Sequence, residues 1–154
     1  MQQITVFDDV LTVEEQQLIS QQNFGNGEIR WFDTLPSLSS LLEIGNKYFS
    51  INPSTIVGYE TWFNKTNLGW HKDKDESVWK LTRKEVFPLN TIVYYPLVEN
   101  LIDGNFVTEG MAITPRTNRM ILMSPGILHC VQPFQGNRLA LTINPWNRKP
   151  FGIP

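Results

Sequence analysis

From Ser54 onward the chain breaks into short β-branched and aromatic segments with Gly, Pro and Asn between them, and this texture confines it to a sheet fold. The segments read as strands are Thr55–Asn64, Gly69–Lys72, Thr91–Leu97, Gly104–Val107, Met111–Ile113, Arg119–Met123, Leu128–Gln132 and Leu139–Asn144. Strands this short are stable only as parts of larger packed sheets.

The chain ahead of them is helical in pattern. Thr12-Val13-Glu14-Glu15 has a hydroxyl residue followed three positions later by glutamate, the signature of a capping box. Leu11, Glu14, Glu15, Leu18 and Ile19 then suit a surface helix ending around Asn23 to Gly27. A second helix is expected from about Ser37 to Phe49, where Leu38, Leu41, Leu42, Ile44, Tyr48 and Phe49 recur at helical spacing. Pro53 stops it. Two helices followed by short strands predict a mainly β jelly roll with its helices against one sheet.

At 154 residues the chain is expected to form one domain. Helical support would span about 12–50 and a jelly-roll core about 54–146. A 41% hydrophobic fraction supplies a core and excludes a disordered chain. The net charge of −2 gives no basic field for nucleic acid, and no apolar run reaches membrane-spanning length. Neither partner is therefore expected. A lone cysteine, Cys130, and an N-terminus without a signal-peptide pattern lead to a cytoplasmic expectation.

The chain has two histidines, His71 and His129. In His71-Lys72-Asp73 the imidazole and carboxylate share one face of an extended segment, while Lys72 points away. Taken alone, the triplet also fits a surface turn. His129 follows the turn Ser124-Pro125-Gly126 and lies between Leu128 and Cys130-Val131. Such a histidine is either a core residue bonded to a backbone carbonyl or a ligand. Cys130 falls on the opposite face of that strand. In the last strand Arg138, Ala140, Thr142 and Asn144 share one face, opposite Leu139, Leu141 and Ile143. Arginine and threonine on an inner face suit a pocket for a carboxylate, which a guanidinium can grip at two points. A solvent-facing strand is the other reading. Two imidazoles, one carboxylate and a nearby arginine are the ingredients of an iron site that holds an acidic co-substrate.

Together these residues resemble the Fe(II)/2-oxoglutarate-dependent dioxygenases, in particular their compact prolyl 4-hydroxylase-like branch. The family's motif of His-x-Asp, a distant His and a basic residue some ten positions on is similar to His71, Asp73, His129 and Arg138. Phe7-Asp8-Asp9-Val10-Leu11-Thr12 resembles the family's opening strand and first helix. Tyr94-Tyr95-Pro96-Leu97, Asn118 to Gly126 and Val131-Gln132-Pro133 resemble its later segments. The chain departs from the family's Gly-Gly-x-Leu at Asp103-Gly104-Asn105-Phe106, and carries Ala140 where a hydroxyl residue is common. The paired arginines of the nucleic-acid demethylases are missing.

The resemblance implies a double-stranded β-helix that holds Fe(II) through His71, Asp73 and His129. It implies 2-oxoglutarate as co-substrate on Arg138, and dioxygen as oxidant. The expected reaction hydroxylates an unactivated C–H bond, on a peptidyl proline or another amino-acid side chain, and releases succinate and carbon dioxide. The alternatives are a small-molecule hydroxylase of the same superfamily and a non-catalytic metal-binding jelly-roll module. Tyr95 is a candidate donor to the co-substrate carboxylate by family position, Tyr59 a candidate pocket residue, and Thr142 an assistant to Arg138. The segments Lys74–Pro88 and Leu101–Asn118, with Trp62, Trp70 and Trp79, are candidates for covering the mouth and binding the primary substrate.

Overall fold

The computed structural model describes residues 2–154 as two antiparallel sheets with helices against one of them. The larger sheet has the order β1–β8–β5–β10–β3–β2, formed by β1 (Ile4–Asp8), β8 (Arg119–Met123), β5 (Thr91–Asp103), β10 (Phe134–Trp146), β3 (Gly58–Asn64) and β2 (Arg30–Phe32). The smaller has the order β4–β9–β6–β7, formed by β4 (Leu68–His71), β9 (His129–Val131), β6 (Phe106–Thr108) and β7 (Met111–Ile113). The helices are α1 (Val13–Gln21), α2 (Ser39–Tyr48) and α3 (Glu76–Thr82). This is the expected jelly roll.

Period-two alternation splits the core into two layers. Ile92 and Tyr94 of β5, Met120 and Leu122 of β8, and Leu141 and Ile143 of β10 point to the helices. There they bury Ile19 of α1 and Leu41 and Leu42 of α2. Val93 and Tyr95, Ile121 and Met123, and Ala140 point the other way, against Phe106, Ile113 and Val131 of the small sheet. The large sheet is thus covered on both faces, so β8 reads as an unbroken apolar run.

Local signals explain the element ends. The capping box forms: Glu15 N donates to Thr12 Oγ1 at 3.2 Å and Thr12 N to Glu15 Oε1 at 3.1 Å. Helix α1 ends at Gln21, earlier than expected, and Asn23 Oδ1 then accepts from Gly25 N in a turn. The second helical segment begins as a 3-10 turn, Pro36–Leu38, which opens on proline and has no side-chain cap. Pro53–Thr55 forms another such turn, so β3 starts at Gly58 and not at Thr55.

Two strands outrun their apolar cores. β5 continues to Asp103 and β10 begins at Phe134, and the two pair as a ribbon beyond the sandwich. Gly136, at φ +100°, lies in a register shift of that ribbon; a Cβ there would collide with the Asn100 carbonyl. Leu101–Asn118, expected as a covering loop, is largely the end of β5 with β6 and β7.

Candidate active site

The small sheet brings the histidines together. His71 ends β4 and His129 begins β9, and the two are direct partners in the antiparallel register. Their ring centroids lie 4.3 Å apart. Asp73 follows β4 by two residues and turns its carboxylate to both rings. Its Oδ1 is 3.5 Å from His71 Nε2 and 3.7 Å from His129 Nε2. One donor atom from each of the three residues lies within 4.8 Å of the others. Lys72 points away to Glu85, 3.1 Å distant, as the alternation requires.

Each imidazole is oriented by the same local device. His71 Nδ1 lies 2.7 Å from the Gly69 carbonyl, and His129 Nδ1 lies 2.9 Å from the Ile127 carbonyl. A carbonyl only accepts, so both Nδ1 atoms carry the proton and both Nε2 lone pairs face Asp73. This is the tautomer a metal ligand needs, with the outer nitrogen tied down. Phe106 stacks on His129 at 4.9 Å, and burial lowers the His129 pKa, which favours the neutral ring.

Asp73 is held from the large sheet. Asn144 Nδ2 donates to Asp73 Oδ2 at 3.3 Å, and Thr91 Oγ1 donates to Asn144 Oδ1 at 2.7 Å. Sequence alternation placed Asn144 on the inner face without giving it this role. Glu60 was also missed. Its carboxyl is 5% exposed and accepts from Trp146 Nε1 at 2.6 Å. Burial, with Asp73 and Asp75 nearby, pushes its pKa up to about 7. A glutamate within an aromatic strand carries no spacing signal that marks it as part of a site.

Arg138 lies across a narrow recess from the triad, whose walls include Trp62, Phe106, Val131 and Thr142. It is buried, yet no carboxylate pairs with it among the described residues. Nη1 reaches the Thr66 carbonyl at 3.3 Å, while Nε has no partner. The guanidinium sits over the rings of Tyr95 and Phe134, at 5.6 and 5.2 Å. Tyr95 is fully buried and its hydroxyl is also unpartnered. Orphaned donors of this kind are costly in a dry interior, and a bound carboxylate would satisfy them.

The structure therefore gathers His71, Asp73, His129, Arg138 and Thr142 around one space, with Tyr95 behind Arg138. It does not bring Tyr59 there. Tyr59 alternates with Glu60 and Trp62 on β3, so its ring packs against the helix-side core. Cys130 points away from the recess, and Trp70 is exposed. A second, broader cleft meets the first at His71 and Asp73. Its walls include Ile29, Glu60, Trp62, Lys74 and Glu76.

The donor set fits a divalent iron: two neutral imidazoles and a carboxylate on one side, with the other side open for further ligands. No helix among the described residues is long and apolar enough to cross a membrane.

No family profile matches the sequence, and a search of curated proteins finds no significant relative. Solved structures do match. A prolyl-4-hydroxylase of Pseudomonas putida aligns with a TM-score of 0.64 at 13% identity, over 95% of this chain and 93% of that one. A viral collagen prolyl hydroxylase from Paramecium bursaria Chlorella virus 1 aligns with a TM-score of 0.61 at 10% identity, over 92% and 87%. A 2OG-Fe(II) oxygenase family oxidoreductase of Burkholderia pseudomallei gives 0.57 at 13% identity, over 94% and 84%. The chain has the prolyl 4-hydroxylase-like fold of the 2-oxoglutarate/Fe(II) oxygenases.

Proposed function

We propose that this protein is an Fe(II)- and 2-oxoglutarate-dependent hydroxylase. The observation that supports this best is Arg138, a buried cation without a counter-ion, facing a two-histidine, one-aspartate cluster across a recess. A binding module that only held a metal would have no use for it. His71, Asp73 and His129 would hold the iron, and Arg138 with Tyr95 and Thr142 would hold the co-substrate's far carboxylate. Formal charge then balances, because ferrous iron and Arg138 together offset Asp73 and a dianionic 2-oxo acid.

When bound, iron and 2-oxoglutarate supply the oxidising chemistry, in which dioxygen converts the 2-oxo acid to succinate and carbon dioxide and adds a hydroxyl to an unactivated C–H bond. The chain's own work is to bind, orient and exclude water. The two carbonyl-anchored imidazoles keep their Nε2 lone pairs aimed inward. Asn144 fixes the Asp73 rotamer. Phe106 and Val131 line the recess with apolar surface, which strengthens the pairing of Arg138 with its carboxylate.

The primary substrate is a peptidyl proline, another amino-acid side chain or a free small molecule. A cytoplasmic setting accords with the single unpaired cysteine, Cys130. The test is succinate formation from Fe(II), 2-oxoglutarate and air. Iron-dependent succinate that disappears in His71→Ala and Asp73→Ala supports the reading; none from the wild-type chain refutes it.

A further inference from the structure

We propose that Glu60 is the recognition carboxylate for the primary substrate, and that this substrate carries a protonated aliphatic amine near the carbon that is hydroxylated. The inference rests on the hydroxylase reading and adds the chemical class of the substrate.

Position is the first ground. The Arg138 recess and the broad cleft share His71 and Asp73, but Arg138 and His129 line only the recess. With the co-substrate on Arg138, the broad cleft is the remaining approach to the metal. Glu60 lies in its wall, nine-tenths buried, on the strand that also supplies Trp62.

Charge is the second ground. The other charged groups around this cleft already have partners. Lys72 pairs with Glu85 at 3.1 Å, Lys74 with Glu76 at 3.3 Å, and Asp75 with Arg148 at 3.1 Å. Metal, Asp73, co-substrate and Arg138 sum to zero. Glu60 is left with neutral donors, the Trp146 indole at 2.6 Å and the Asn144 side chain, and no cation pairs with it among the described residues. A buried carboxylate in that state is expensive unless something charged arrives to pair with it. Burial, the largest cause, pushes the Glu60 carboxyl up to about 7, and an ammonium seated beside it would favour the charged form.

Shape is the third ground. Ile29 and Trp62 give the cleft apolar walls for a methylene skeleton, and the indole face of Trp62 suits a cation beside it. An ammonium can come from a free amino acid or amine, or from a lysine side chain of a polypeptide. The chemistry at Glu60 is the same for both.

The experiment uses the full chain loaded with Zn(II), a redox-inert stand-in for iron, and 2-oxoglutarate, with binding read by saturation-transfer NMR. The probes are L-proline and L-lysine as free amines and Nα-acetyl-lysine amide as a polypeptide lysine. Each is paired with its N-acetylated, uncharged-nitrogen counterpart. At least one amine is expected to bind about tenfold or more tightly than its acetylated partner. That preference should vanish in Glu60→Gln, with 2-oxoglutarate affinity unchanged. Binding by a free amino acid identifies a small-molecule source; binding by the blocked lysine alone identifies a polypeptide source. Acetylated probes that bind as well as the amines, or no amine binding to protein that holds Zn(II) and 2-oxoglutarate, would overturn the inference and leave the hydroxylase reading intact. Failure to bind 2-oxoglutarate would remove both. The wild-type preference needs no variant, and Glu60→Asp supplies a second one: it keeps the charge, shortens the reach and should retain part of the preference.

Discussion

The side-chain amide of Asn144 donates to Asp73 Oδ2 at 3.3 Å, which leaves Oδ1 facing both imidazoles. A residue on the large sheet thus orients a carboxylate that follows a strand of the small one. Asn144→Ala should weaken divalent-metal binding about 10- to 100-fold while His71, Asp73 and His129 all remain. Metal titration followed by isothermal calorimetry reads this directly. An unchanged affinity would show that Asp73 needs no such support.

The two histidines should differ in what they do for the metal-free fold. The His71 side chain is about one-third exposed, whereas His129 is buried and stacked on Phe106. Both alanine variants should lose the metal-induced rise in melting temperature. His129→Ala should in addition cost about 1–3 kcal/mol without metal, while His71→Ala costs less than about 1 kcal/mol. Urea unfolding in a chelator separates the two costs. Equal costs would contradict the burial difference.

Arg138 has an opposite pair of consequences. As an unpaired buried cation it destabilises the free chain, and under the proposed function it would clamp the co-substrate carboxylate. Arg138→Leu should leave the free protein as stable as wild type, or more stable by about 1–4 kcal/mol. Tyr95→Phe should lower 2-oxoglutarate affinity about tenfold by removing one hydroxyl donor. Thermal melts and 2-oxoglutarate titrations of the two variants check both effects.

Glu60 should imprint a pH dependence on the metal-free chain. Its pKa rises from an ordinary 4.5 to about 7 through burial, opposed by the Trp146 hydrogen bond and reinforced by Asp73. The folded state therefore holds this proton more tightly than the unfolded state. Its contribution is fully present below pH 4.5, falls between 4.5 and 7, and is lost above 7. The difference is roughly 3 kcal/mol. Glu60→Gln keeps an acceptor for Trp146 and should flatten this part of the profile, becoming more stable relative to wild type at pH 8 than at pH 5. Identical profiles for the two proteins would contradict the shift.

Much of this arrangement could be read from residue order alone. Met111–Ile113 and Arg119–Met123 are strands at the bounds their apolar runs predict. The inner face of β10, with Arg138, Ala140 and Thr142, follows from period two. What escaped has physical reasons. β2 is three exposed or half-buried residues at a sheet edge, without alternation to reveal it. The β5–β10 ribbon extends through polar residues such as Glu99 and Asn137, where pairing and not burial holds the strands. Tyr59 was assigned by nearness in sequence to the iron motif, although alternation from Trp62 places it on the other face. Asn144 bonds Asp73 from 71 positions away and Trp146 bonds Glu60 from 86 positions away, and sequence order alone does not show such contacts.

If His71, Asp73, His129 and Arg138 form one site for a metal and an acidic co-substrate, binding of the two is coupled. The most direct test is anaerobic titration of 2-oxoglutarate into the protein with and without Fe(II), for wild type and Arg138→Leu. 2-Oxoglutarate binding should require the metal and should fall about a hundredfold in Arg138→Leu, with iron affinity nearly unchanged. Binding of 2-oxoglutarate that ignores the metal, or equal losses of iron and 2-oxoglutarate in Arg138→Leu, would contradict this.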